Sequence, residues 1–227
     1  MKIEWIEYWK LRPNNLNSKE FRHLWLLLYW AAYGLAFNFL ETNIYPPERY
    51  FPMYHPLDDL IPFCELFVIP YVFWFGYLAV ATVIPLLCDR EAFKKMMYFQ
   101  MIVYTTTLLI YVVFPNCQEL RPDSFERDNI FTRYMADFYA NDTNTNVFPS
   151  LHVIGSFAAM LGICETKYFN KRGWWIANWV ICILISLSTV FLKQHSVWDV
   201  WGAIPLMLFA WWFVYKRKGK KHRAITT

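Results

Sequence analysis

Residues 148–165, with the sequence FPSLHVIGSFAAMLGICE, decide how this chain folds. The segment is hydrophobic and about long enough to cross a bilayer as a helix, which takes ~20 residues. It carries His152 near its start, and His195 follows 43 positions later, just before another hydrophobic segment at 197–215. Two crossings of about 20 residues with a short turn between them account for that separation. We therefore expect both histidines at the same membrane surface.

The composition of the whole chain also indicates a membrane protein. Of its 227 residues, 57% are apolar, 21% are aromatic and only 18% are charged. Soluble domains are about 45–50% apolar and about 25% charged. Six hydrophobic segments have roughly the length of a membrane-spanning helix, and they lie at 24–40, 66–87, 96–114, 148–165, 174–192 and 197–215.

These segments predict an all-α integral membrane protein, a bundle of six transmembrane helices. We divide the chain into an N-terminal segment at 1–23, a six-helix membrane domain at 24–215 that carries the candidate catalytic residues, and a basic tail at 216–227. The sequence does not indicate an oligomeric state.

Lysine and arginine are distributed unevenly among the hydrophilic pieces. The N-terminal segment, the second and fourth connections and the tail hold 17 of the 22 basic residues. By the positive-inside rule, both termini are cytoplasmic, and the third and fifth connections are extracytoplasmic. The basic tail then suits anionic lipid rather than nucleic acid. We expect a multi-pass protein of the cell membrane with His152 and His195 facing the extracytoplasmic side.

His195 and Asp199 are spaced so that they share a helix face at the start of the last segment. A carboxylate in this position can accept a hydrogen bond from one imidazole nitrogen, which leaves the other nitrogen as a nucleophile or base. An ion pair at the membrane interface would produce the same spacing and is the alternative interpretation.

His152 follows Ser150 at an expected helix N-terminus, where free amides and the helix dipole favour a phosphate group. Ser150 acting only as a helix N-cap is the alternative. Arg121 in the third connection is a candidate for phosphate binding, because its guanidinium can hold two oxygens at once. Lys193, the one basic residue of its connection, is a second candidate.

Three ordered motifs resemble the type 2 phosphatidic acid phosphatase superfamily, which includes lipid phosphate phosphatases. They are Arg121-Pro122, then Pro149-Ser150-Leu151-His152, then Ser188-Thr189 followed by His195 and Asp199. Two positions depart from the family pattern, since Phe114 replaces a lysine and Thr189 replaces an arginine. Lys193-Gln194-His195 and the Ser-Leu-His form of the second motif resemble the branch related to inositol phosphorylceramide synthases.

The resemblance implies hydrolysis of a lipid phosphomonoester or pyrophosphate through a phosphohistidine. His195 would attack phosphorus, Asp199 would orient its ring, and His152 would protonate the leaving alkoxide. It implies no metal and no cofactor, and inhibition by vanadate. The resemblance assigns phosphate binding to Arg121, Ser150, Lys193 and Ser188.

Two other functions fit the same residues. A lipid phosphotransferase would pass a phosphorylated headgroup to an acceptor alcohol with the same histidines. A non-catalytic membrane transport or binding protein is the more distant alternative. The long aromatic connection at 41–63 is interpreted either as a lid over the site or as a packed interfacial loop.

Overall fold

Helices dominate the computed structural model of this chain, which describes residues 3–42 and 45–216. In chain order the α-helices are α1 Leu28–Thr42, α2 Leu57–Leu60, α3 Val68–Cys88, α4 Arg90–Val113, α5 Ile130–Asn141, α6 Leu151–Cys164, α7 Arg172–Phe191 and α8 Val197–Trp211. A 3-10 helix at Arg22–Leu27 leads into α1, and another at Glu65–Phe67 leads into α3. A π-helical segment, Trp212–Lys216, continues α8. Three further 3-10 turns lie at Tyr8–Lys10, Pro13–Asn15 and Pro47–Arg49.

Within the described residues, five helices are long and apolar enough to cross a membrane, which agrees with the predicted membrane class. They are Arg22–Thr42, Glu65–Cys88, Arg90–Val113, Arg172–Phe191 and Val197–Lys216. The sixth predicted crossing corresponds to α6, which has 14 residues. At ~1.5 Å per residue, α6 is about 21 Å long and shorter than the ~30 Å hydrocarbon core. The count of six crossings therefore stays a prediction.

Helix α6 lies at the centre of the bundle and packs against α3, α4, α7 and α8. Eleven of its residues are buried, so protein rather than lipid surrounds most of this helix. Gly162 allows its close approach to α3 and α4, because a Cβ there would lie 2.2 Å from Met96 Sδ and 3.0 Å from the Ala81 carbonyl oxygen. Outer helices carry their exposed apolar side chains outward, among them Leu35 and Ile69. An apolar outer surface of this kind is suited to contact with lipid chains.

Several boundaries differ from those predicted from hydropathy. Helix α4 begins at Arg90 rather than at 96, because the Asp89 carboxylate caps it and accepts a hydrogen bond from Ala92 N at 3.1 Å. Helix α5 was not predicted, since it lies within the polar third connection. Beyond Lys216, the predicted basic tail falls outside the described residues.

A short parallel pairing of β1, Phe51–Pro52, with β2, Asn116–Cys117, is a departure from the all-α prediction. It joins the connection after α1 to the connection after α4. Connections that are packed together need partners for their backbone amides and carbonyls, and this pairing supplies some of them.

The basic connections and the N-terminal segment meet at the end of the bundle opposite the predicted site histidines. Lys167 Nζ lies 3.0 Å from Glu4 Oε2, and Arg90 lies 3.1 Å from Glu20. Ile6 N also donates to the Leu87 carbonyl at 2.8 Å. The N-terminal segment and the basic connections thus share one end of the bundle, and both predicted site histidines lie at the other.

Candidate active site

The C-terminus of α7 and the N-terminus of α8 place His195 between them. The backbone amides of Gln194 and His195 both donate to the Thr189 carbonyl, at 2.9 and 3.1 Å. Ser196 then caps α8, because its hydroxyl accepts a hydrogen bond from Trp198 N at 3.2 Å. His195 is therefore held by backbone contacts on one side and by a capped helix on the other.

The predicted pair of His195 and Asp199 is formed in the structure. His195 Nδ1 donates to Asp199 Oδ2 at 3.1 Å, and Ser196 N donates to the same oxygen at 2.9 Å. The Asp199 side chain is fully buried, and His195 is 7% exposed. The carboxylate therefore fixes the orientation of the ring and leaves Nε2 as its free nitrogen.

His152 approaches that free nitrogen from the N-terminus of α6. Its Nδ1 lies 3.3 Å from His195 Nε2, and its ring stacks on Tyr71 and packs at a tilt against Trp74, with 4.7 and 4.3 Å between centroids. The amide of Ser150 donates to the Asp199 carbonyl at 3.0 Å and so ties α6 to α8. The structure brings together all three residues predicted to be catalytic.

The residue before the Pro-Ser-Leu-His motif packs directly on α8. At Gly202, a Cβ would lie 2.1 Å from a ring carbon of Phe148, so a larger residue would push this segment away. Asn116 holds the same segment from the other side, since its Oδ1 accepts hydrogen bonds from Val147 N and Phe148 N at 2.8 and 2.7 Å. These contacts fix where α6 begins.

The two serines predicted to bind phosphate differ in their contacts. Both are fully buried. Ser188 Oγ donates to the Ile185 carbonyl at 2.6 Å within α7, whereas Ser150 Oγ has no partner among the described residues. Ser150 is the N-cap residue of α6, yet its side chain makes no capping hydrogen bond. Its hydroxyl thus has an unused hydrogen-bonding capacity two residues before His152.

Arg121 is engaged mainly with the segment after α5. Its guanidinium donates to Asp142 Oδ2 at 2.8 Å, and the ring of Tyr139 lies 4.8 Å beneath it. It also donates to Gln194 Oε1 at 3.0 Å, next to His195. Arg121 Nε is buried without a partner among the described residues. The charge of Arg121 is therefore near the histidines but already paired with a carboxylate.

Lys193 points into the connection before α3. Its Nζ donates to the carbonyls of Asp58 and Ile61, at 2.6 and 2.5 Å. Burial lowers the pKa of Lys193, and the nearby Asp58 and Asp59 carboxylates act in the opposite direction. The structure does not bring this ammonium to the histidine pair but uses it to hold the 58–61 segment.

Gln194 and Asp58 were missed as site residues in the sequence. The Gln194 side chain is 4% exposed, and its Nε2 lacks a partner among the described residues. Asp58 is 2% exposed, and its carboxylate accepts hydrogen bonds from Ser196 Oγ at 2.6 Å and Val197 N at 2.8 Å. Asp58 is 138 positions from Ser196, so no local pattern could have revealed this contact.

A cavity of about 130 Å³ opens beside the histidine pair, and we call it the histidine cavity. Two carboxylate residues, Glu41 and Asp142, line it together with His152, His195 and Gln194. Burial raises the pKa of Asp142, and the Arg121 guanidinium opposes that shift. Glu41 accepts hydrogen bonds from Thr143 Oγ1 at 2.5 Å and from Asn146 Nδ2 at 2.7 Å. No lysine or arginine of the described chain lines this cavity.

Comparison with known protein families gives one match. Residues 96–223, more than half of the chain, match the PAP2 superfamily. The match includes the histidine pair, Asp199, Arg121 and Ser150 but not Asp58 or Glu41. Neither the comparison with curated proteins nor the comparison with solved structures gave a match. From the matched residues and the geometry of its histidines, the chain belongs to the PAP2 superfamily.

Proposed function

We propose that this protein hydrolyses a lipid phosphomonoester or pyrophosphate through a phosphohistidine at His195. The observation that carries the proposal is the continuous hydrogen-bonded chain from Asp199 to His195 to His152, with distances of 3.1 and 3.3 Å. Members of the PAP2 superfamily are typically phosphatases or phosphotransferases acting on lipid phosphates. Polar groups around the two histidines supply hydrogen-bond donors for the phosphoryl oxygens.

His195 is the nucleophile in this proposal. Because Asp199 holds the Nδ1 proton, the lone pair on Nε2 is available to attack phosphorus in line with the leaving oxygen. The P–N bond forms as the P–O bond to the lipid breaks. The positive charge that develops on the His195 ring is balanced by the buried Asp199 carboxylate.

His152 is the general acid and then the general base. As an imidazolium it gives a proton to the departing lipid oxygen, and as the resulting neutral imidazole it removes a proton from the water that attacks the phosphohistidine. That second attack breaks the P–N bond, releases inorganic phosphate and restores His195. Since His152 Nδ1 now lies 3.3 Å from His195 Nε2, the phosphoryl group must enter between the two rings.

The phosphoryl oxygens need donors, and three are available near the histidines. Ser150 Oγ, Gln194 Nε2 and Arg121 Nε are each buried without a partner among the described residues. Fixed donors in a buried site stabilise the charge of the transition state most effectively. We assign phosphate binding to these three groups and a holding role to Lys193 and Ser188, whose donors are already engaged.

The orientation in the membrane follows from the charge distribution. We propose that the chain crosses the cell membrane six times, with both termini cytoplasmic and the histidine cavity on the extracytoplasmic side. In support, the basic connections around Arg90 and Lys167 share one end of the bundle with the N-terminal segment. The histidine cavity lies at the other end.

A lipid phosphotransferase is the second candidate, and the wall of the histidine cavity favours it. That wall carries the Glu41 and Asp142 carboxylates and the hydroxyl of Thr145 but no lysine or arginine of the described chain. Carboxylates are suited to accept hydrogen bonds from an acceptor alcohol. The same phosphohistidine would then be resolved by the alcohol instead of water.

Phosphate release from a lipid panel tests the proposal. Detergent-purified protein is given phosphatidic acid, phosphatidylglycerol phosphate, a polyprenyl pyrophosphate and a sphingolipid phosphate, with a metal chelator present. We expect release by the wild type, inhibition by vanadate and no release by His195→Ala. Transfer of label to an added alcohol with little free phosphate would favour the phosphotransferase, and unchanged release by His195→Ala would refute both.

A further inference from the structure

A second cavity, larger than the histidine cavity, lies between α6, α7 and α8. Its volume is about 390 Å³, and we call it the apolar cleft. The α7 wall of this cleft runs from Trp179 through Ile183 and Leu187 to Val190. Residues three or four positions apart share one face of a helix, so this wall is a single continuous stripe.

Apolar side chains make up most of the lining of the apolar cleft. Its two small polar residues, Cys182 and Ser186, use their side chains within the bundle. Cys182 Sγ donates to the Ser156 carbonyl at 3.1 Å, and Ser186 Oγ donates to the Cys182 carbonyl at 2.8 Å. A polar ligand placed here would lose most of its hydration without replacement, so the lining favours a hydrocarbon.

The apolar cleft starts at the level of the histidines. Val153 lines it and directly follows His152, while Val197 lines it two residues after His195. From Val190 the stripe continues to Trp179, about 16 Å along the helix at ~1.5 Å per residue. That length is about half of the ~30 Å hydrocarbon core, which is the depth of one leaflet.

The 57–61 segment forms the wall nearest the site. Leu57 and Ile61 line the apolar cleft, and Asp58 between them is bonded to Ser196 and Val197. The segment that borders the cleft is thus fastened to the helix that carries Asp199. These contacts fix the wall relative to Ser196, the residue that follows His195.

We propose that the apolar cleft binds one hydrocarbon chain of the lipid whose phosphate reaches His195. This inference rests on the proposed function for the position of the headgroup. The chain lies along the Trp179–Val190 stripe, and the 57–61 segment covers its end near the headgroup. The cleft therefore makes turnover depend on chain length.

A filling substitution with a matched control tests the proposal. Ile183 lines the apolar cleft and Leu184 does not, although both are exposed residues of α7, at 53% and 43%. For Ile183→Trp we expect the KM for dipalmitoyl phosphatidic acid to rise about tenfold, with turnover of dibutyryl phosphatidic acid unchanged. Leu184→Trp should leave both values as in the wild type. Equal behaviour of the two variants would overturn the proposal.

Photolabelling provides a readout that does not require catalysis. Phosphatidic acid with a diazirine near the end of one chain is crosslinked to the wild-type protein, and the labelled peptides are mapped. We expect label on α7 and α8 residues of the apolar cleft, competed by unlabelled dipalmitoyl phosphatidic acid and reduced in Ile183→Trp. Label spread evenly over the outer surfaces of α1 and α3 would overturn the proposal. If the wild type releases no phosphate, the proposed function fails while this labelling still decides whether the cleft binds a chain.

Discussion

The two halves of the candidate active site differ in how completely the structure assembles them. The acid–base half, His152, His195 and Asp199, is joined by hydrogen bonds of 3.3 and 3.1 Å. In the phosphate-binding half predicted from sequence, Lys193 and Ser188 are committed to backbone carbonyls. The comparison teaches that a motif can locate side chains that the fold brings into contact while leaving open which neighbours are free to bind a ligand.

The largest effect is expected from loss of His195, the proposed nucleophile. His195→Ala should lower kcat for lipid phosphate hydrolysis by about 10⁴-fold or more, because no other side chain in the proposed mechanism forms the covalent intermediate. His55→Ala is the matched control, since that imidazole lies at the same end but packs edge-on against Trp198 and Trp201. Initial rates of phosphate release should be nearly normal for the control. A comparable loss of kcat in both variants would contradict the nucleophilic role of His195.

The next largest effect should come from Asp199→Asn. The amide keeps the shape of the carboxylate but cannot balance the charge on His195 or hold its Nδ1 proton equally well. We expect kcat to fall by about 10²–10⁴-fold, with little change in KM. Steady-state kinetics on the purified variant measure both. An altered KM with a normal kcat would place Asp199 among binding groups instead.

Asp58 tests whether the connection at 41–63 belongs to the acid–base half. Asp58→Asn replaces a buried carboxylate that accepts hydrogen bonds at the start of α8 and so weakens those bonds. We expect about a tenfold lower kcat and a loss of about 1–3 kcal/mol in the free energy of unfolding. Asp59→Asn is the control, because Asp59 instead accepts a hydrogen bond from exposed Tyr54. Thermal unfolding and kinetics should separate these neighbours. Identical results would leave Asp58 without a positioning role.

The smallest effect is expected at Ser188, and its comparison with Ser150 divides the phosphate-binding half itself. Ser150→Ala should raise KM or lower kcat by about tenfold, because it removes an unengaged donor beside His152. Ser188→Ala should stay within about twofold of the wild type, since its hydroxyl is bonded to Ile185 within α7. Parallel kinetics on both variants measure the difference. A larger effect at Ser188 would reverse the assignment.

The sequence predicted the helices and the acid–base half for local reasons. Hydropathy located the long apolar helices, and the spacing of His195 and Asp199 placed them on one helix face. The short α5 was missed because it is an amphipathic helix in a polar connection. The β1–β2 pairing was missed because its two strands are far apart in sequence.

The phosphate-binding half could not be predicted in the same way. Whether Arg121 or Lys193 is free depends on contacts with residues distant in the sequence, such as Gln194 for Arg121 and Ile61 for Lys193. Gln194 carries no charge and was named in the sequence only as the middle residue of Lys193-Gln194-His195, with no role of its own, yet it lines the histidine cavity and its Nε2 is buried. Such roles emerge only when the connections are packed around the site.

Trapping the covalent intermediate tests the central claim most directly. Purified protein is mixed with phosphatidic acid labelled in its phosphate, quenched within a single turnover and digested under alkaline conditions that preserve phosphohistidine. The account predicts label on the peptide containing His195, absent from His195→Ala and retained in His55→Ala. Turnover without label on His195, or label on another residue, would contradict it.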